Sequence, residues 1–174
     1  MAKISFIPPE SYKFILAPIL LAIFCNIILY ALRWSNKKNV KPATENTKFS
    51  KYGYIIGIIW TIIFGFMGYT YYLLYKASNK YFTPATIAII LYLIFSLSYP
   101  FTTSRFMKFT DILNVISLLL ACILIIIVGY EYWMGSNKKS LKIVLYLMPL
   151  FLWLLFVNIT FGSFSKINNI IYKI

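Results

Sequence analysis

Residues 57–76 read GIIWTIIFGFMGYTYYLLYK and hold no charge before the final lysine. A run of this length crosses a hydrocarbon core of about 30 Å as a helix. At roughly 100° per residue, Gly57, Thr61, Gly65 and Gly68 fall on one narrow arc. Trp60, Phe64, Met67 and Tyr71 fall on the arc beside it. Small-xxx-small spacing lets a second backbone approach closely, which drives helix packing in lipid. The stretch therefore predicts a membrane helix that packs by its small face and lends its aromatic flank to a pocket. Packing against neighbours or lipid also explains an aromatic stripe by itself. Tyr69, Tyr71, Tyr72 and Tyr75 gather at the end of the run, at interface depth, where their hydroxyls reach headgroups.

The rest of the chain repeats this pattern. Its 174 residues are 61% hydrophobic, a composition that excludes an ordinary soluble domain. Five apolar runs are expected as spans over 12–32, 54–75, 83–102, 111–133 and 141–164, with a long loop over 33–53. Backbone amides in lipid must be satisfied within the segment, so the spans are helices. The fold class is an all-α integral membrane protein, a single domain over 1–174 built as a bundle of five transmembrane helices. The first run is too long for a signal h-region, and RWSNKK follows it where a cleavage site would stand, so it reads as a retained span. Pro100 is expected to kink or end the third helix.

A net charge of +13 does not indicate a nucleic-acid partner, because the basic residues are scattered between apolar runs. They read as anchors against anionic headgroups, which makes membrane lipid the first partner. Seven basic residues fall on the N-terminal side and 10 on the side of the long loop, so the loop and the C-terminus lean toward the cytoplasm. Cys25 and Cys122 both lie inside spans and suggest no disulfide framework.

No catalytic residue and no metal site are assigned. Histidine is absent. The four acids, Glu10, Glu45, Asp111 and Glu131, are too far apart in sequence to pair for acid–base work. No ladder of buried ionisable groups marks an ion path. In the fifth span Pro149, Trp153, Phe156 and Thr160 share a face, with Asn158 roughly opposite as a bond to a neighbouring helix. An aromatic, nearly uncharged interior suits a small, flat, apolar ligand.

Residues 58–76 resemble the second helix of the translocator protein family, also called tryptophan-rich sensory protein or peripheral benzodiazepine receptor. Trp60, Thr61, Phe64, Met67, Gly68, Tyr72, Leu73 and Lys76 occupy the matching places. Leu16-Ala17-Pro18 is similar to the L-A-P of the first helix. Asp111-Ile112-Leu113 is similar to the D-L-L that opens the fourth. The stretch from Pro149 through Trp153 to Phe156 is similar to the P-Y-L-x-W-x-x-F of the fifth.

The resemblance implies a pocket under the long loop that takes a porphyrin or a sterol, with transport or sensing as the role. It implies binding residues Phe49, Trp60, Phe64, Ser96, Tyr99, Trp153, Phe156 and Val157. No cofactor is required for this. Family members commonly dimerise, so the small stripe serves either a homodimer or bundle packing. The membrane is the mitochondrial outer membrane for a eukaryotic member and the cell membrane for a bacterial one.

Departures from the family pattern bear on function. The loop motif W-x-P-P is matched here by Phe49-Ser50-Lys51-Tyr52. The Q-x-x-x-N-x-x-W of the third helix is matched by Tyr92, Ser96 and Tyr99, so two amides are lost. Some bacterial members are reported to degrade porphyrin in light, with the loop tryptophan implicated; that residue is lost here. A scaffold that keeps the fold without the ligand, and a light-dependent porphyrin-degrading enzyme, are the alternatives.

Overall fold

The computed structural model describes residues 8–35, 53–105, 110–135 and 142–163. Its helices are α1 (Tyr12–Ser35), α2 (Gly53–Ser78), α3 (Pro84–Arg105), α4 (Thr110–Gly135) and α5 (Met148–Thr160). Short 3-10 turns, Pro9–Ser11 and Lys142–Tyr146, precede α1 and α5. The described residues contain no strand. Helices α1 to α4 each contain a stretch long and apolar enough to span a bilayer. The protein is an all-α, multi-pass integral membrane protein of five apolar helices.

One expectation needs correction, and of the two outcomes expected at Pro100 one is excluded. The fifth span is not one continuous helix. It is a 3-10 turn, a break at Leu147, and 13 residues of α-helix. Pro149 takes the second helical position, where its missing N–H costs little, and so restarts the helix. At 2.0 Å per residue in the turn and 1.5 Å in the helix, the two pieces still cover roughly 30 Å. Pro100 does not end α3, which continues to Arg105. Hydroxyls around the proline bond the carbonyls of their own helix: Ser98 Oγ donates to Phe95 O at 2.8 Å and Thr102 Oγ1 to Ser98 O at 3.1 Å.

Each helix buries one face. On α4 it is Asn114, Ser117, Leu118, Ala121, Leu124 and Val128, at steps of three and four. On α3 it is Ala85, Ile89, Tyr92 and Ser96, and on α5 it is Leu150, Leu154 and Asn158. Helix α2 packs on α1, α3, α4 and the 3-10 turn before α5. Helix α5 packs on α4. Much of α1 faces outward, with Leu16, Leu20, Phe24 and Ile27 exposed for contact with lipid chains.

The α1–α2 contact shows what the small stripe does. A Cβ built on Gly68 would fall 3.0 Å from both the Cα of Ile15 and the carbonyl carbon of Phe14, and closer still to Phe14 O. Phe14 is four residues before Pro18, and proline has no N–H to donate back to it. The carbonyl that α1 leaves free therefore meets α2 at a residue without a side chain. Gly65 is looser: its Cβ would meet Ile19 Cδ1 at 3.4 Å. Gly57 has nothing within 4 Å. The helices are pinched together at the Gly68 end and open toward Gly57.

The tyrosines at the end of α2 tie the bundle together more than they reach outward. Tyr72 is fully buried, against expectation. Tyr71 donates to the carbonyl of Tyr81 at 2.6 Å, and Tyr75 stacks on Tyr81 with ring centres 4.4 Å apart. Tyr69 packs edge-on against Tyr146 at 5.0 Å. Asn79, at φ 55, caps α2 in the left-handed region.

Candidate functional site

The residues expected to bind a ligand come from α2, α3 and α5. Apart from Phe49, their positions along the helices put them in the half of the bundle where α1 ends and α2 begins. Trp60 lies about 10 Å from the start of α2 and Tyr99 about 9 Å from the end of α3, at 1.5 Å per residue.

Trp60 and Phe64 are neighbours on α2, with ring centres 5.5 Å apart. Phe64 belongs to the buried core, and Trp60 and Trp153 pack against that core. Trp153 and Phe156 stack at 5.6 Å with planes 27° apart, as residues three apart on one helix face do. Phe156 is nevertheless 48% exposed, so the stack runs from the core out to the surface of α5. Val157 is partly buried. Ser96 is buried on α3. Phe49 lies outside the described residues.

Several buried polar atoms in this half of the bundle lack a hydrogen-bond partner, Thr110 Oγ1 and Asn158 Oδ1 among them. Trp153 Nε1 is buried without a hydrogen bond, and the buried Ser96 Oγ interacts with the Tyr92 hydroxyl one turn before it on α3. Leaving a buried donor or acceptor unmade costs on the order of 1–3 kcal/mol each. Indole nitrogen is a donor only, so Trp153 requires an acceptor.

Tyr99 is engaged elsewhere, in a polar seam that joins α3, α4 and the end of α5. Its hydroxyl donates to Asn114 Oδ1. Asn114 Nδ2 donates to Ser163 Oγ at 3.3 Å, and Ser163 Oγ donates to Asp111 Oδ1 at 3.1 Å. Asn158 is fully buried and donates from Nδ2 to Asn114 O at 3.1 Å and to Leu154 O at 2.9 Å. The interhelical bond expected of Asn158 is therefore present. About one turn further along α4, Tyr92 and Ser117 share a hydrogen bond of 3.0 Å. Sequence reading assigned no role to Asn114, Ser117 or Ser163. Its available signal was the spacing Asp111, Asn114, Ser117, which puts three polar side chains on one face of a helix.

A cleft lies between α1 and α2 at their open end. Its volume is about 520 Å³, and Ile23, Asn26, Gly57, Ile58 and Thr61 line it. Thr61 turns its hydroxyl back to Gly57 O at 2.9 Å, so the cleft surface is mostly apolar. The small stripe is thus divided: Gly65 and Gly68 pack within the bundle, while Gly57 and Thr61 face the cleft.

Among the described residues no group of His, Cys, Asp and Glu is placed to hold a metal ion. The region combines two pairs of packed aromatic rings, one on α2 and one on α5, with a buried indole donor that has no partner. The TspO/MBR family model matches residues 14–164, which is most of the chain and includes all five helices. No curated protein and no solved structure gives a significant match.

Proposed function

We infer, because the chain belongs to the TspO/MBR family, that it binds a flat apolar ligand of porphyrin or sterol type between α2, α3 and α5. The observation that supports this reading is the orphaned indole donor, Trp153 Nε1, buried beside the Phe156 ring on which Trp153 stacks. A ring system would stack on Trp60 and Trp153, and an acceptor on its edge would take the indole proton. The reading is one of binding, in transport or sensing, rather than chemistry.

The test is titration of the purified protein in nanodiscs with protoporphyrin IX, read as tryptophan quenching. Saturable micromolar quenching is expected, and Trp153→Phe should weaken it about tenfold, the effect of losing one buried hydrogen bond to a charged acceptor. Quenching equal to that of an unrelated membrane protein would refute the reading. That outcome would favour the scaffold alternative, which one observation supports. Tyr92 and Tyr99 stand where the family has Gln and Trp, and both spend their hydroxyls on α4.

A further inference from the structure

The opposite end of the bundle holds a cavity of about 540 Å³ between the α2–α3 turn and the end of α4. Its walls are largely apolar, with Leu74, Phe82, Ile127 and Met134 among them. Two charged residues also line it, Lys80 and Glu131. They come from different elements, and among the described residues neither makes an ion pair.

Glu131 has a structural duty on one side only. Its Oε2 accepts the Ala85 N–H at 2.7 Å, at the start of α3. The rest of that helix end is already satisfied. Thr86 N–H reaches Thr83 Oγ1 at 3.3 Å and Ile87 N–H reaches Thr83 O at 2.9 Å. Pro84 has no N–H to satisfy. The second carboxylate oxygen, Oε1, is buried without any partner. The terminal torsion of glutamate is soft, so a modest turn presents Oε1 to the cavity while Oε2 keeps its bond.

The level of the cavity is marked by its neighbours. Tyr81, Phe82, Tyr130 and Trp133 are all exposed around this end. Exposed aromatics of this kind sit at the headgroup layer. A carboxylate with one oxygen unpartnered, a lysine that makes no ion pair among the described residues and an apolar wall thus meet at headgroup depth.

We propose that this cavity is a binding site for a phospholipid whose headgroup carries a primary ammonium, phosphatidylethanolamine in chemistry. The ammonium donates to Glu131 Oε1, the phosphate pairs with Lys80, and the acyl chain lies along Leu74 and Ile127. A choline headgroup has the same charge and no N–H, so it cannot satisfy Oε1. An anionic glycerol headgroup brings its charge toward Glu131 and offers no cation.

Native mass spectrometry of the delipidated full chain, with phosphatidylethanolamine, phosphatidylcholine or phosphatidylglycerol added separately, tests the assignment. Ethanolamine lipid is expected to bind about tenfold more tightly than choline lipid, the scale of one charge-assisted hydrogen bond. Glu131→Gln should bring that ratio close to one. Lys80→Ala should weaken both lipids and leave the ratio unchanged. An ethanolamine headgroup carrying two N-methyl groups, which retains one N–H, should still outbind the choline form. That arm uses the unaltered protein and stands even if Glu131→Gln fails to fold. Equal binding of ethanolamine and choline lipids overturns the proposal. So does tighter binding of the glycerol lipid, or a preference that survives Glu131→Gln.

Discussion

Substituting Gly68 by alanine should damage this protein more than any other glycine-to-alanine change along α2. The added methyl would stand 3.0 Å from two backbone atoms of α1 and still closer to Phe14 O. Backbone cannot move aside as a flexible side chain can, so α1 and α2 must separate by roughly 1 Å. A gap of about 0.5–1 Å forfeits a quarter to a half of the dispersion energy between facing atoms. Overpacking of this kind costs about 1–3 kcal/mol, and the backbone clash puts Gly68 at the upper end. Alanine recovers about 1 kcal/mol through helix propensity. The expected net loss is about 2 kcal/mol. Gly57→Ala meets nothing within 4 Å and keeps only the propensity gain, so it should be neutral or slightly stabilising. Gly65→Ala should fall between them, because Ile19 can yield at 3.4 Å. The assay is thermal unfolding in one detergent, followed by loss of the monodisperse peak. A Gly68→Ala protein as stable as the parent, or a Gly57→Ala protein equally damaged, would refute the account of the α1–α2 contact.

Other outcomes follow from the same geometry. Pro18→Ala and Gly68→Ala should combine non-additively by more than about 0.5 kcal/mol, measured in a double-mutant cycle, since both act on the Phe14 carbonyl. Asn114→Ala should cost about 1–3 kcal/mol in the same unfolding assay, because it removes the acceptor of the Tyr99 hydroxyl and the amide that donates to Ser163. Ser96→Ala should cost the ligand-free protein less than about 1 kcal/mol, since the Tyr92 hydroxyl that Ser96 Oγ faces keeps its bond to Ser117. A clearly larger loss of stability on that substitution would show that the hydroxyl has a further partner.

The membrane class and four of the five helices were legible because lipid imposes one demand on every span. Twenty apolar residues must satisfy their own backbone, and the pattern shows in any window of the right length. The fifth element was read too simply. Lys142–Tyr146 is as apolar as a helix needs, but hydropathy is blind to whether a turn closes at three residues or four. The role of Gly68 was visible as spacing, yet its partner was not. Nothing in α2 says that a proline on α1 leaves a carbonyl to be met. The polar seam was half legible. Asn158 stood out as an amide in a span, whereas Asn114 and Ser163 lie near span ends, where polar residues need no special explanation. Glu131 looked like an ordinary residue near the end of a span, and only the fold shows that one oxygen serves α3 and the other serves nothing within the described chain.

The uneven spacing of α1 and α2 has a mechanical consequence. Two rods fastened near one end and free at the other behave as tongs. Gly57 lies 11 residues from the fastening at Gly68, a lever of about 16 Å at 1.5 Å per residue. Rotating one rod by about 5° at the fastening shifts the open tip by about 1.4 Å along that lever. The pivot itself hardly moves, so the tight contact is preserved while the jaws change width. The grip is strongest far from the proposed aromatic region, and the freedom is greatest beside it.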